Sequence, residues 1–448
     1  MITNKFFISR RSFLKRSTLA AAATGMPAWF LERDLAEAAP ESKIGPNDRI
    51  SIALVGCGGQ GRGDANYARQ KGADIVAVCD VDDNHAADAA HQFAKNGKDA
   101  DKYNDFRKVM ERSDINAIIC GTPDHWHTLV NIAAANAGKD TYGEKPLTLT
   151  IDEGHHIVSA VRKNKTVFQT GTQQRSSKRF RVACELVRNG RIGKLQQVTV
   201  FLPAGLHDGP FASKPVPQGL NWDFWQGQTM PVDYVPQRCH VNFRFWYDYS
   251  GGTMTDWGAH HNDIARWGIG LDGPDTIEGT HQDEPIPGGY TAFSDYEVNL
   301  TWANGVRQTI KTTKDDSIFG GVVNENGQRN GIKFEGTNGW IWVNRSEITA
   351  SDDALLSTPL PAGGIRLKVS NDHMPNFLEC VRTRELPAAD VETGHRSVSI
   401  CHLGAIALRT GRKLEWDPVH EKFIGDNAKE NNKWLAREMR KPFDYHFA

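Results

Sequence analysis

The chain has 448 residues, with 53 Lys+Arg against 54 Asp+Glu and seven cysteines. At roughly 150 residues per domain, that length implies two domains or three. A formal net charge of −1 gives no bulk attraction to a phosphate backbone. No apolar run approaches the roughly 20 residues of a membrane-spanning helix, so nucleic acid and a stable membrane span are both set aside.

The first 38 residues read as an address. A basic start (Lys5, Arg10, Arg11, Lys15, Arg16) leads into a moderately apolar stretch, Thr18 to Leu31, and then the small-x-small sequence Ala36-Glu37-Ala38. That order marks an export signal, the competing reading being an amphipathic helix docked on the domain. Ser9-Arg10-Arg11-Ser12-Phe13-Leu14-Lys15 resembles a twin-arginine signal. The resemblance implies folding around a cofactor in the cytoplasm, passage through the Tat export machinery, cleavage near Ala38 and a periplasmic or otherwise exported protein. Cleavage there would leave 410 residues with a net charge of −4. Cys57, Cys79 and Cys120 fall in or beside apolar runs with no CxxC pair. They are therefore expected as buried thiols, with no zinc site or disulfide framework.

From residue 50 strand and helix alternate. Ile50–Val55, Asp74–Cys79 and Asn116–Cys120 are short apolar runs, and Asp140–Gly143 and Thr166–Thr170 are weaker strand candidates. Helical stretches lie near 61–70, 82–95, 105–112, 125–137 and 151–163. This alternation predicts an α/β domain whose parallel sheet is wound with helices on both faces. Ligands of such sheets bind at the carboxyl ends of the strands.

The chemistry-bearing residues sit at those ends. Gly56-Cys57-Gly58-Gly59-Gln60-Gly61 is a GxGxxG between the first strand and a helix, answered by Asp80 at the end of the second strand. The glycines allow a tight turn, close approach of a pyrophosphate and helix packing. The Asp80 carboxylate suits ribose hydroxyls and repels a 2′-phosphate, which favours NAD over NADP. Thr122, Pro123 and His127 follow the next strand, with Thr122 or Asp124 as an alternative helix cap. Glu144-Lys145-Pro146 follows the strand after that.

Together these residues resemble the glucose–fructose oxidoreductase, inositol dehydrogenase and rhizopine-catabolism (Gfo/Idh/MocA) oxidoreductases. The resemblance implies a Rossmann domain over 39–172 that binds NAD through Gly56, Gly58, Gly59, Gln60, Gly61, Asp80, Thr122, Pro123, His127, Glu144 and Lys145. It places Lys145 between nicotinamide and substrate and makes Lys145–Pro146 a candidate cis bond.

Residues 173–448 supply the substrate side. A helix is expected near 177–189. Strands are expected at 194–202, 275–281, 293–302, 306–313, 331–335 and 340–344, forming an open, largely antiparallel sheet, with helices near 373–383 and 393–409. A long loop, 203–242, carries Trp222 and Trp225, which argue for an ordered segment over the site.

Gly251–Gly268 reads as one helix capped by Thr253 or Thr255, with Asp256, His260 and Asp263 on one stripe and His261 on the next. Three readings are open for that cluster: a base and its orienting carboxylate, a metal site, or a buried structural pair. The family resemblance favours the first, with Lys145, Asp256 and His260 as the catalytic set and no metal.

The implied reaction is hydride transfer between a sugar or polyol carbon and a tightly bound nicotinamide. His260 would serve as base, Asp256 as its orienting partner and Lys145 as donor to the reacting oxygen. Gln173, Arg175, His261 and Asp263 are further substrate candidates, with Tyr142 in the pocket wall. Two alternatives stand beside it: a redox-neutral NAD-dependent glycoside hydrolase or lyase, and a non-catalytic sugar-binding protein. A homo-oligomer through the second sheet completes the expectation.

Overall fold

The computed structural model describes residues 26–37, 49–313 and 330–447. The twin-arginine motif and Ala38 lie outside these residues.

The N-terminal half is built on six parallel strands: β1 (Ser51–Val55), β2 (Asp74–Cys79), β3 (Asp101–Tyr103), β4 (Ala117–Cys120), β5 (Asp140–Gly143) and β6 (Phe168–Thr170). Their order, β3-β2-β1-β4-β5-β6, reverses direction between β1 and β4. That reversal opens the crevice in which such sheets bind ligands. Strand β1 shows why the run is apolar throughout. Ile52 and Leu54 pack into one buried layer, Ala53 and Val55 into the layer on the other face. Five of the connecting helices match the predicted ones, from Gly59–Gln70 to Ile151–Asn164.

The second half carries a nine-stranded sheet. Its strands are β7 (Leu195–Pro203), β8 (Thr276–His281), β9 (Tyr296–Thr301), β10 (Arg307–Thr313), β11 (Gly331–Gly336), β12 (Gly339–Val343), β13 (Ile348–Ala350), β14 (Leu414–Asp417) and β15 (Lys422–Ile424). The order is β13-β12-β11-β7-β10-β9-β8-β14-β15, and only the β7–β10 pair is parallel. The fold class is therefore α/β: a Rossmann-type parallel sheet followed by a domain with a largely antiparallel open sheet. Helices Lys178–Arg188, Gly258–Ile269 and Val391–Thr410 pack on one face of the second sheet around Val198, Val298, Ile310, Ile332 and Phe334.

A long segment ties the halves together. The loop after β7 is ordered by an aromatic cluster of Trp222, Trp225, Tyr234, Phe243, Trp246, Tyr249 and Tyr290. Trp222 and Trp225 stack with centroids 4.9 Å apart. The loop reaches the carboxyl end of β2, where Asp83 N donates to Gly219 O and Asn221 N to Val81 O, both at 2.9 Å. All seven cysteines are buried and unpaired, Cys57, Cys79 and Cys120 among them as thiols in or beside the strands the sequence marks.

Ala28–Glu37, which overlaps the stretch read as an export signal, forms a helix docked on the second domain, the competing reading of that stretch. Phe30 is fully buried with the Arg181 guanidinium 4.8 Å from its ring centroid, and Arg33 meets Glu185 at 2.6 Å. Trp29 Nε1 donates to Leu356 O at 2.8 Å. The apolar centre expected of a signal also serves as an amphipathic helix, whose Phe30 and Leu31 join the second-domain core together with Met26 just before it.

Candidate functional site

A cavity of about 1290 Å3 runs from the β1 turn to the edge of the second sheet. It exceeds the roughly 300–1,000 Å3 of ordinary ligand pockets, leaving room for a dinucleotide and a second molecule. Gly56 adopts φ +91, and a Cβ there would meet Thr122 N at 2.4 Å. A Cβ on Gly61 would meet Gly56 O at 2.2 Å, so the helix can sit this close only with glycine. Nothing lies within 4 Å of a Cβ placed on Gly58 or Gly59. The result is an open cradle at a helix N-terminus whose first amides lack intrahelical acceptors. Asp80 is held at its edge by Cys57 N at 2.7 Å and Asp82 N at 2.9 Å. The His85 and His240 rings meet beside it at a tilt of 49°, with centroids 4.5 Å apart. These groups fit a dinucleotide whose pyrophosphate meets the glycine turn and whose ribose meets Asp80.

The other end of the cavity is organised around Lys145. The Lys145–Pro146 peptide is cis. His127 braces it, with Nδ1 2.6 Å from Pro146 O and Nε2 2.9 Å from Thr122 O. Lys145 Nζ donates to Asp256 Oδ1 at 2.5 Å and to Asp256 O at 3.2 Å. Arg244 Nε reaches the same carboxylate oxygen at 3.3 Å. Burial works against ionisation of Asp256, but Lys145 and Arg244 hold its carboxyl below the usual carboxylate range.

His260 lines the cavity beside them and is nearly buried. Burial, then the charges of Lys145 and Arg345, push its pKa well below the ordinary imidazole value, so the ring is neutral at physiological pH. Glu144 and Asp64 form a coupled carboxyl pair in the wall. Burial is the main force raising both, and for Glu144 the Asp64 charge adds to it, so the pair retains a proton. Gln173 Nε2 donates to Glu144 Oε1 at 3.1 Å and to Tyr142 Oη at 3.2 Å.

Several sequence expectations change here. The single helix over 251–268 is a short turn, Thr253–Asp256, followed by Gly258–Ile269, with Gly252 as N-cap and Gly270 closing the end at φ +81. Neither Thr253 nor Thr255 caps it. The Asp256 carboxylate is bonded to Lys145 and Arg244 and not to His260, whose Nδ1 is buried without a partner.

Arg175 and Asp263 lie outside the cavity. They form a buried ion pair, Arg175 Nε 2.9 and 2.7 Å from the two Asp263 oxygens, completed by Ser397 Oγ at 2.5 Å. His261 is buried against Asn330 Oδ1 at 3.1 Å. The four polar residues of the DxxxHHxD run therefore do not converge on a metal. Tyr142 lies behind the wall, and neither Thr122 nor Asp124 caps the following helix. Gly56, Gly58, Gly59, Gln60, Asp80, Thr122, Pro123, His127, Glu144, Lys145, Gln173, Asp256 and His260 all line the cavity.

Sequence reasoning missed Asp64, His240, Arg244 and Arg345, which line it too. Asp64 sits one turn beyond the GxGxxG, a position that helical spacing alone points at the cradle. Arg244 comes from a single helical turn, Asn242–Phe245, and His240 and Arg345 from loops, none with a periodic signal.

Residues 204–445 match the model of the Oxidoreductase family, C-terminal alpha/beta domain (Gfo/Idh/MocA type), and residues 50–172 match the Oxidoreductase family, NAD-binding Rossmann fold. The chain belongs to the Gfo/Idh/MocA oxidoreductase family. Among curated relatives, it is 30% identical over 158 residues to Glycosyl hydrolase family 109 protein 2 of Shewanella sp. (strain ANA-3), covering 32% of this chain and 35% of that one. It is 29% identical over 148 residues to the inositol 2-dehydrogenase of Salmonella typhimurium, covering 33% and 41%. The chain thus spans little more than a third of the length of the curated relatives it matches. The same fold occurs in the WlbA dehydrogenase from Bordetella pertussis, solved in complex with NADH and UDP-GlcNAcA, with a TM-score of 0.61 and 18% identity over 82% of this chain and 99% of that one. The Gfo/Idh/MocA Rossmann domain accounts for the cradle as an NAD site. Among the described residues no helix is long and apolar enough to cross a membrane.

Proposed function

We propose that the protein is an NAD-dependent oxidoreductase acting on a sugar or polyol hydroxyl carbon. The observation that carries this is the meeting of Lys145, Asp256 and His260 at one end of a cavity whose other end is the dinucleotide cradle. Bound NAD supplies the hydride acceptor and donor. Held neutral, His260 accepts the hydroxyl proton at Nε2, its Nδ1 being sealed from the cavity. Lys145, fixed by Asp256, donates a hydrogen bond to the reacting oxygen and stabilises the charge that develops there. Incubation with sugars deuterated at each carbon, followed by mass spectrometry of bound cofactor, tests the reading. Absence of label transfer from every sugar and polyol tried would sink it.

A second reading is favoured by the segment from the other domain that closes on Asp80 and by the likeness to family 109 glycosyl hydrolases. A retained cofactor suits a redox-neutral cycle in which a hydroxyl is oxidised, an aglycone lost and the product reduced. Glycoside cleavage without added NAD and without net NADH would support it. We further infer export through the Tat pathway, which a strain lacking that machinery tests by retention in the cytoplasm. Self-association through the open face of the nine-stranded sheet is tested by sedimentation.

A further inference from the structure

We propose that the substrate carries a carboxylate group, as a uronic or aldonic acid does, and that Arg345 selects it. The proposal rests on the oxidoreductase reading of the same cavity and adds the substrate's charge.

The substrate end holds three cationic side chains, Lys145, Arg244 and Arg345. Its ionised carboxylate is Asp256, which is already engaged by Lys145 and Arg244. Glu144, Asp124 and Asp64, the other acids lining the cavity near these cations, are all held toward their protonated forms by burial. Positive charge is thus in excess where a substrate would sit, and desolvating it beneath a neutral ligand is costly.

Arg345 is the cation left over. Among the described residues no carboxylate lies within ion-pair distance of it. Its position is nevertheless fixed from several sides. The guanidinium lies 4.7 Å from the Trp257 ring centroid. The Gln174 amide, oriented to satisfy both its ends, accepts from Arg345 Nε at 3.1 Å and donates to His260 O at 3.0 Å.

The main chain is pinned as well. Arg345 occupies the turn between β12 and β13, where Asn344 Oδ1 accepts from Ser346 N at 2.8 Å and Glu347 N at 2.9 Å. Arg345 O accepts from Arg179 at 3.1 Å. With Nε engaged and one face stacked, the two terminal nitrogens remain for the cavity. A planar fork of that kind pairs with a carboxylate through two parallel hydrogen bonds. Because Gln174 touches both Arg345 and the His260 main chain, the anchor point and the base keep a fixed spacing. The carboxylate would therefore also decide which hydroxyl faces His260.

The test is titration of the NADH-loaded full-length protein with D-glucuronate, D-galacturonate and D-gluconate against glucose, galactose and glucitol, with glucose 6-phosphate as a separate arm. The acids are expected to bind about 10- to 100-fold tighter than their neutral partners, the range for a charge-assisted pair. Arg345→Gln should bring that ratio to about one, and Arg345→Lys should keep part of it. Equal affinity for acid and neutral ligands would overturn the proposal. So would a preference that survives Arg345→Gln, tighter binding of the phosphate, or no binding of any acid. Tight binding of an acid without deuterium transfer would support the carboxylate site and count against the oxidoreductase reading alone.

Discussion

Asp256 offers a decisive perturbation, because the geometry assigns it to Lys145 and the sequence pattern assigned it to His260. Lys145 Nζ and Asp256 Oδ1 are 2.5 Å apart, with the two side chains 14% and 22% accessible. At an effective dielectric of ~20, two unit charges at that spacing attract by about 7 kcal/mol before desolvation is counted. Access to the cavity and the second partner, Arg244, reduce what a substitution would recover. A coupling of about 2 kcal/mol, near the middle of the range for contacting residues, is expected in the activation free energy. That corresponds to roughly a 30-fold change in rate.

The assay is a double-mutant cycle on single-turnover reduction of bound cofactor, followed by the absorbance of the reduced nicotinamide. Lys145→Met should lose about 10²- to 10³-fold. Asp256→Asn should lose about 30-fold, and the double variant should be little worse than Lys145→Met. In the parallel cycle, Asp256→Asn and His260→Ala should multiply, with coupling below about 0.5 kcal/mol. Strong coupling of Asp256 to His260 together with none to Lys145 would refute the assignment.

Three other outcomes are expected. Since burial and nearby cations lower the His260 pKa, the base stays unprotonated as pH falls, and the acid limb of kcat/KM should lie below about 6.5; an acid limb above that value contradicts the site. Asp263→Asn leaves the Arg175 charge unpaired where the side chains are only 1% and 8% accessible. It should cost about 3–5 kcal/mol in denaturant unfolding, with KM of the surviving enzyme unchanged. His125 and His261 are pushed down to about 3 by burial, so the unfolded chain binds more protons than the folded one below pH ~6.5. Their stabilising contribution is complete above that pH and is lost progressively as pH falls toward 3, which Tm measured from pH 7 to pH 5 should register as a decline.

The NAD half was legible because its signals are local. GxGxxG and Asp80 each sit at the end of a short apolar run and Glu144-Lys145-Pro146 at the end of a weaker strand candidate, and strand ends converge by topology. The second sheet was legible in its long strands, while its β13, β14 and β15, like β3 of the first sheet, are three or four residues long and carry too little pattern. Asp256, Asp263 and His261 show where spacing misleads. Helical periodicity placed them together, but the arrival of Lys145, Arg175 and Asn330 from distant segments distributed them among separate partners. Arg244 and Arg345 left no mark, since an arginine in a single turn or a loop looks the same whether it faces water or a substrate.

The hydrogen bonds from Asp83 to Gly219 and from Asn221 to Val81 have a mechanical consequence. They fasten main chain of the second domain to the strand end that carries Asp80, so the two halves cannot swing apart as a free hinge about the cavity. Traffic is divided accordingly. The Asp80 end is stitched shut by backbone, while the Arg345 end is bounded by side chains that rotate within nanoseconds. Small molecules can come and go at one end on the timescale of turnover, and whatever occupies the other end waits for the stitching to open.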